Sequence, residues 1–128
     1  MPQEQSSAAP VVLVVESDVL LRLVTASNLR DAGFEVIEAA NPAEALRVLD
    51  RIPVDVLFSN IDMPGNVDGL ALAQWVHRSQ VDTRIVLTSR AARTLGSAKE
   101  YASFLPKPYA IKDVEHLLRS VLSSSWGE

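Results

Sequence analysis

The chain has 128 residues, 48% of them apolar, no cysteine and a formal net charge of −4. That is room for one domain with a sizeable core; it excludes disulfides and thiolate metal sites, and the acidic balance speaks against a nucleic-acid surface, which needs clustered Lys and Arg. No apolar run is long enough to span a membrane, and Met1–Pro10 is a polar tail without the basic and apolar segments of a signal peptide.

Val11–Val15 is continuously apolar and β-branched, the pattern of a strand buried on both faces. Val19–Ala32 follows Asp18, an N-cap residue, and stops at Gly33, a favourable residue just past a helix end, so a helix lies between them. Phe34–Ala39 is a shorter strand with acidic interruptions, suited to a sheet edge. Asn41-Pro42 pairs an N-cap with proline at the first helical position and opens a helix to Asp50. Val54–Ser59 is another buried strand, running into the polar loop "NIDMPGNVDGL". Gly69–Ser79 is the third helix and Ile85–Leu87 the fourth strand. Between Arg90 and Tyr101, "RAARTLGSAKEY" has an interior glycine and few large apolar residues, which predicts a short or broken helix. A short fifth strand fits Ser103–Leu105. Ile111–Leu122 then places Val114, Leu117, Leu118 and Val121 on one helical face.

Strand and helix alternate throughout. The simplest architecture is an α/β doubly wound sandwich with right-handed crossovers, in which ligands sit outside the carboxyl ends of the strands. Those ends carry Glu16-Ser17-Asp18, Ser59-Asn60-Ile61-Asp62, Thr88-Ser89 and Pro106-Lys107-Pro108. Acids, hydroxyls, an amide and a lysine converge on one rim, and the opposite rim collects nothing comparable.

In order, "VVLVVESD", "NIDMPGNVDG", "IVLTSR" and "FLPKPY" resemble the four motifs of a bacterial response-regulator receiver domain, the flavodoxin-like switch of two-component signalling. Each is weak alone; four in order, each at a strand end, are specific. The resemblance runs from Val11 to Leu122. It implies a five-stranded parallel sheet in the order 2-1-3-4-5 and a cis peptide bond at Lys107-Pro108. Residues 11–122 form the domain, between tails 1–10 and 123–128, and the second tail leaves no room for a fused DNA-binding output domain. The lack of cysteine fits a cytoplasmic setting.

In such receivers an acidic pair after the first strand and a loop aspartate hold Mg²⁺. The aspartate takes a phosphoryl group from a histidine kinase, and a Thr or Ser and a Lys bind the phosphoryl oxygens. Carried across, Glu16 matches the first acid of the pair. Ser17 matches the second and is not an acid. Asn60 matches the phosphoacceptor and is an amide. Asp62 stands where the family offers a backbone carbonyl to the metal. Thr88 matches the switch hydroxyl, Phe104 the aromatic switch position and Lys107 the phosphoryl-binding lysine.

These departures are chemical. An amide is a poor nucleophile, and Mg²⁺ wants anionic oxygen ligands in near-octahedral geometry. The expectation is therefore a weak or absent Mg²⁺ site at Glu16, Ser17, Asn60 and Asp62, with no other cofactor. Lys107 is expected to pair with Glu16 or Asp62, and if that pair is largely exposed it contributes no more than about 1 kcal/mol. An extra residue within "PGNVDG" and a shortened stretch from Thr88 to Lys107 imply a remodelled face around the fourth helix and fifth strand, the family's usual partner surface.

Three functions compete. The first is a stand-alone receiver, not an enzyme, acting by protein–protein contact without Asp phosphorylation. Its partner is a histidine kinase, a phosphotransfer protein, another regulator or a second copy, and it binds neither nucleic acid nor membrane. The alternative is an ordinary Mg²⁺-dependent phospho-receiver whose acceptor Asp was replaced by Asn60, by engineering or recent loss; Ser17 counts against a designed single change. The third is an aspartyl phosphatase or an FMN-binding flavodoxin, but no Asp-x-Asp loop and no Gly- or Ser/Thr-rich phosphate cradle follows the first strand.

Several residues have plainer readings. His77 and His116 lie on charged helical faces and read as solvated. Trp75 reads as a packing residue of the third helix. Leu20 and Leu23 widen the apolar face of the first helix beyond what one sheet needs. Asn28, polar in a largely apolar helix, is placed to bond a backbone carbonyl. For Thr88, strand-end capping and a switch role weigh equally.

Overall fold

The alternating buried runs and capped helices produce ten elements. In this computed structural model, which describes residues 8–65, 68–90 and 95–123, they are β1 (Val11–Val15), α1 (Val19–Asp31), β2 (Glu35–Ala39), α2 (Pro42–Leu49), β3 (Val56–Asn60), α3 (Gly69–Ser79), β4 (Arg84–Ser89), a 3₁₀ helix (Gly96–Glu100), β5 (Ala102–Pro106) and α4 (Ile111–Ser123). All neighbouring strands pair in parallel, in the order β2-β1-β3-β4-β5. The predicted sheet order is thus the observed one.

Local chemistry explains the boundaries. Asp18 caps α1 by accepting from the Leu21 N–H at 3.1 Å, Asn41 caps α2 through the Glu44 N–H at 2.9 Å, and Asp68 caps α3 through the Ala71 N–H at 3.0 Å. β2, β3, β4 and β5 all shift slightly from their sequence-based limits. β3 starts at Val56 because the Asp55 carboxylate accepts from the Val11 N–H at 2.7 Å, so a side chain closes this end of the sheet. It runs on through Asn60, which pairs with Thr88 of β4. The weak fourth helix is the 3₁₀ turn at Gly96–Glu100, where Gly96 has φ +61°. The extra residue of "PGNVDG", the first part of the Arg90–Tyr101 stretch and most of both tails lie outside the described residues.

Successive strand residues point to opposite faces, and each face has its own core. Leu13, Val15, Leu57 and Leu87 pack against α2 and α3. Val12, Val14, Phe58 and Val86 pack against Ala26 and Leu29 of α1 and Val114 and Leu118 of α4. Arg119 ties these two helices together: its guanidinium lies 4.5 Å from the Phe34 ring centre and donates to the Ala32 carbonyl at the end of α1. Asn28 donates to the Val24 carbonyl at 2.8 Å, as its sequence position suggested.

Trp75 corrects the sequence reading. It is 39% exposed and belongs to neither core, because Leu72, Ala73 and Val76 already fill the buried face of α3. His77 is exposed, as expected, yet its ring stacks on Tyr101 at 4.0 Å and 5°. On α1 only Thr25, Ala26 and Leu29 are buried, so Val19, Leu20, Leu23 and Val24 form an apolar surface. No helix among the described residues is long and apolar enough to cross a membrane.

Candidate functional site: the carboxyl rim of the sheet

Parallel pairing brings the ends of β1, β3, β4 and β5 to one rim. Glu16 follows β1 directly. Its backbone N–H donates to the Ala39 carbonyl at 3.0 Å, and Arg22 donates to its carbonyl at 2.8 Å. These bonds fix the turn that points the carboxylate inward, where Glu16 is 4% exposed.

Both carboxylate oxygens of Glu16 are engaged. Oε1 takes the Lys107 ammonium at 2.6 Å. Oε2 accepts from the Asp18 N–H at 3.0 Å and from the Asn60 side-chain nitrogen at 3.3 Å. A buried carboxylate is costly without such partners. The pairing of Lys107 with Glu16 is as expected; the two side chains are 7% and 5% exposed, so this is a buried pair, outside the exposed case for which the bound of about 1 kcal/mol was given. Lys107 is brought in by β5, its N–H bonded to the Ser89 carbonyl at 2.9 Å. The Lys107–Pro108 bond is cis, as predicted.

Asn60 is 6% exposed. Besides Glu16, its nitrogen donates to the Asp62 carbonyl at 2.8 Å, and its oxygen accepts from the Asp62 N–H at 3.3 Å. The amide orientation follows from this chemistry, since the nitrogen faces two acceptors and the oxygen faces a donor. Asp62 itself is exposed, and its carboxylate accepts from the Ser89 hydroxyl.

Gly69 permits this arrangement. A methyl group there would lie 2.2 Å from the Asn60 carbonyl oxygen and 2.7 Å from the Ile61 Cα, so the first turn of α3 abuts the end of β3 only because no Cβ intervenes. Its N–H donates to the Ile61 carbonyl at 3.0 Å.

The remaining residues singled out from sequence are placed differently. Thr88 is 2% exposed, and its hydroxyl has no hydrogen-bond partner among the described residues. It therefore does not cap its strand. Ser17 is partly buried beside Glu16 and makes no hydrogen bond to the cluster. Phe104 pairs with Leu87 and packs against the α2–α3 core. Among the described residues no three His, Cys, Asp or Glu side chains come together as a metal cluster.

Tyr109 was not singled out from sequence. Its ring meets Phe58 edge-on at 5.7 Å and 62°, and its hydroxyl shares a hydrogen bond with Thr25 at 3.1 Å. Burial pushes the hydroxyl above its ordinary titration range; the Thr25 bond opposes this, and the charges of Glu16 and Asp18 add to it. An aromatic residue after Lys-Pro was the available signal.

The family model of the response regulator receiver domain matches residues 12–119. The sensor kinase CckA of Brucella abortus (strain 2308) is 28% identical over 123 residues, covering 91% of this chain and 13% of that protein. The transcriptional regulatory protein CpxR of Escherichia coli (strain K12) is 31% identical over 123 residues, covering 91% of this chain and 51% of CpxR. This chain thus spans a small part of the first and about half of the second. The chemotaxis response regulator CheY4 of Vibrio cholerae, a solved structure, superimposes with a TM-score of 0.80 at 28% identity over 90% of this chain and all of that one. Rim, sheet order and family match agree: the chain belongs to the response regulator receiver domains of two-component signalling.

Proposed function

We propose that this chain is a degenerate receiver, a protein–protein interaction module of a phosphorelay that carries no aspartyl phosphate at the Asn60 position. Receiver domains are in general non-catalytic signalling domains, and this reading keeps that role while removing the covalent switch. The observation that carries it is the setting of the Asn60 amide. Its nitrogen donates to Glu16 and to the Asp62 carbonyl, so the group at the acceptor position is an uncharged donor where the chemistry needs an anionic nucleophile.

The same geometry bears on the metal. Mg²⁺ needs a near-octahedral set of hard oxygens and sheds its water reluctantly. Here the buried Glu16 carboxylate has both oxygens engaged by Lys107, Asn60 and the Asp18 N–H. Ser17 and Asn60 offer neutral oxygens only. The donor set does not fit a tight site, and Mg²⁺ binds weakly at most.

The receiver unit is residues 11–122 between tails 1–10 and 123–128, working in the cytoplasm. Its partner is a histidine kinase, a phosphotransfer protein, another regulator or a second copy. One observation favours a second reading, a phospho-receiver that lost its acceptor: the Thr88 hydroxyl is buried without a partner among the described residues and Lys107 is already at the rim. The test is incubation of the wild-type chain with acetyl phosphate and Mg²⁺, followed by intact mass. The expected result is no adduct. A phosphoryl adduct on an acid, with Asp62 the first to check, overturns the degenerate reading.

A further inference from the structure

A cleft of about 420 Å³ opens between α1 and the connection from β5 to α4, lined by Leu21, Arg90, Lys107, Pro108 and Tyr109. Small-molecule sites occupy roughly 300–1,000 Å³, so the space is adequate. The walls are of two kinds. Leu21, Pro108 and the Tyr109 ring supply apolar surface. That ring is already held by Phe58 and Thr25, which makes the wall pre-formed.

The two cations at the cleft differ. The Lys107 ammonium is neutralised by Glu16 at 2.6 Å. Arg90 is exposed and has no ion-pair partner among the described residues. The cleft therefore presents one uncompensated guanidinium beside an apolar wall, on a chain whose net charge is −4. A bare inorganic anion gains nothing from Leu21 and Pro108, and a neutral apolar molecule leaves Arg90 unanswered. A guanidinium takes a carboxylate in a bidentate pair.

We propose that this cleft binds a small aromatic carboxylate, with its ring against Leu21, Pro108 and Tyr109 and its carboxylate on Arg90. The site is separate from the Asn60 position and does not depend on whether that position is phosphorylated. It shares Lys107 with the rim, so an occupant lies against the residue that neutralises Glu16.

The test is backbone-amide NMR of the full chain titrated with 3-phenylpropionate, inorganic phosphate and benzyl alcohol in separate arms. The expected result is saturable shifts from 3-phenylpropionate centred on Leu21, Arg90, Lys107 and Tyr109, with the other two probes weaker by about tenfold or more. Arg90→Gln, a change at an exposed position, should weaken 3-phenylpropionate by about tenfold through loss of one charge-assisted pair. Absence of saturation up to about 20 mM, shifts scattered over other surfaces, or unchanged binding by Arg90→Gln would each overturn the proposal.

Discussion

The Lys107 ammonium and the Glu16 carboxylate meet at 2.6 Å although 91 residues separate them in sequence, and both side chains are almost wholly buried. Breaking a buried pair strands one charge in a poorly solvating place, which costs about 3–5 kcal/mol. Lys107→Met and Glu16→Gln are each expected to lose stability on that scale. The double variant should lose less than the sum of the two, since it strands no charge. Urea unfolding of the four proteins measures this, and additive losses would show that the pair does not act as a unit.

A methyl group at Gly69 meets the Asn60 carbonyl at 2.2 Å, far inside contact distance, and the obstacle is backbone with no freedom to swing aside. Gly69→Ala is therefore expected to destabilise by about 1–3 kcal/mol, despite the better helix propensity of alanine. The displacement should reach the rim, moving the amide signals of Asn60, Ile61 and Asp62. Alanine tolerated without loss or signal change would mean that α3 withdraws freely from β3.

These two cases separate what the sequence discloses from what it withholds. The start of α1 was legible because Asp18 is a cap residue just before its apolar run. The partner of Lys107 was legible because few acids remain on the rim. Its burial was not, since that depends on how the residues after β1 and β5, strands separated by β3 and β4 in the sheet, meet at one rim. The bonds from Asn60 to Asp62 depend on the loop conformation after β3. The His77–Tyr101 stack arises only because a 3₁₀ turn sets Tyr101 beside α3. Tyr109 was overlooked because its two partners, Phe58 and Thr25, lie in distant elements.

The Tyr109 hydroxyl titrates above its ordinary value of 10.0, chiefly because it is buried. The folded state thus holds this proton more tightly than the unfolded chain. Its contribution to stability is complete below about pH 10 and is lost as pH rises through the higher folded-state value. Tyr109→Phe removes the titrating group, so its alkaline loss of stability should be shallower than that of the wild type. Unfolding midpoints followed from about pH 8 to pH 11 provide the comparison. Parallel curves would place the alkaline sensitivity elsewhere.

The proposed loss of phosphorylation leads to a repair experiment. Asn60→Asp restores a nucleophile but sets a second carboxylate against Glu16 Oε2 and the Asp62 carbonyl, which now receive N–H donors. Without a nearby cation that arrangement is repulsive, and Lys107 is already committed to Glu16. The single variant is therefore expected to label poorly with acetyl phosphate and to need high Mg²⁺. Adding Ser17→Asp supplies a third carboxylate, and phosphoryl transfer depends largely on positioning and on metal stabilisation of charge. The double variant should label well at lower Mg²⁺, aided by the Thr88 hydroxyl, which has no partner among the described residues. Intact mass across a Mg²⁺ titration of the wild type and both variants decides the matter. If single and double variants label equally, Ser17 is a tolerated neutral ligand, and loss of the acceptor alone becomes the better account of this receiver.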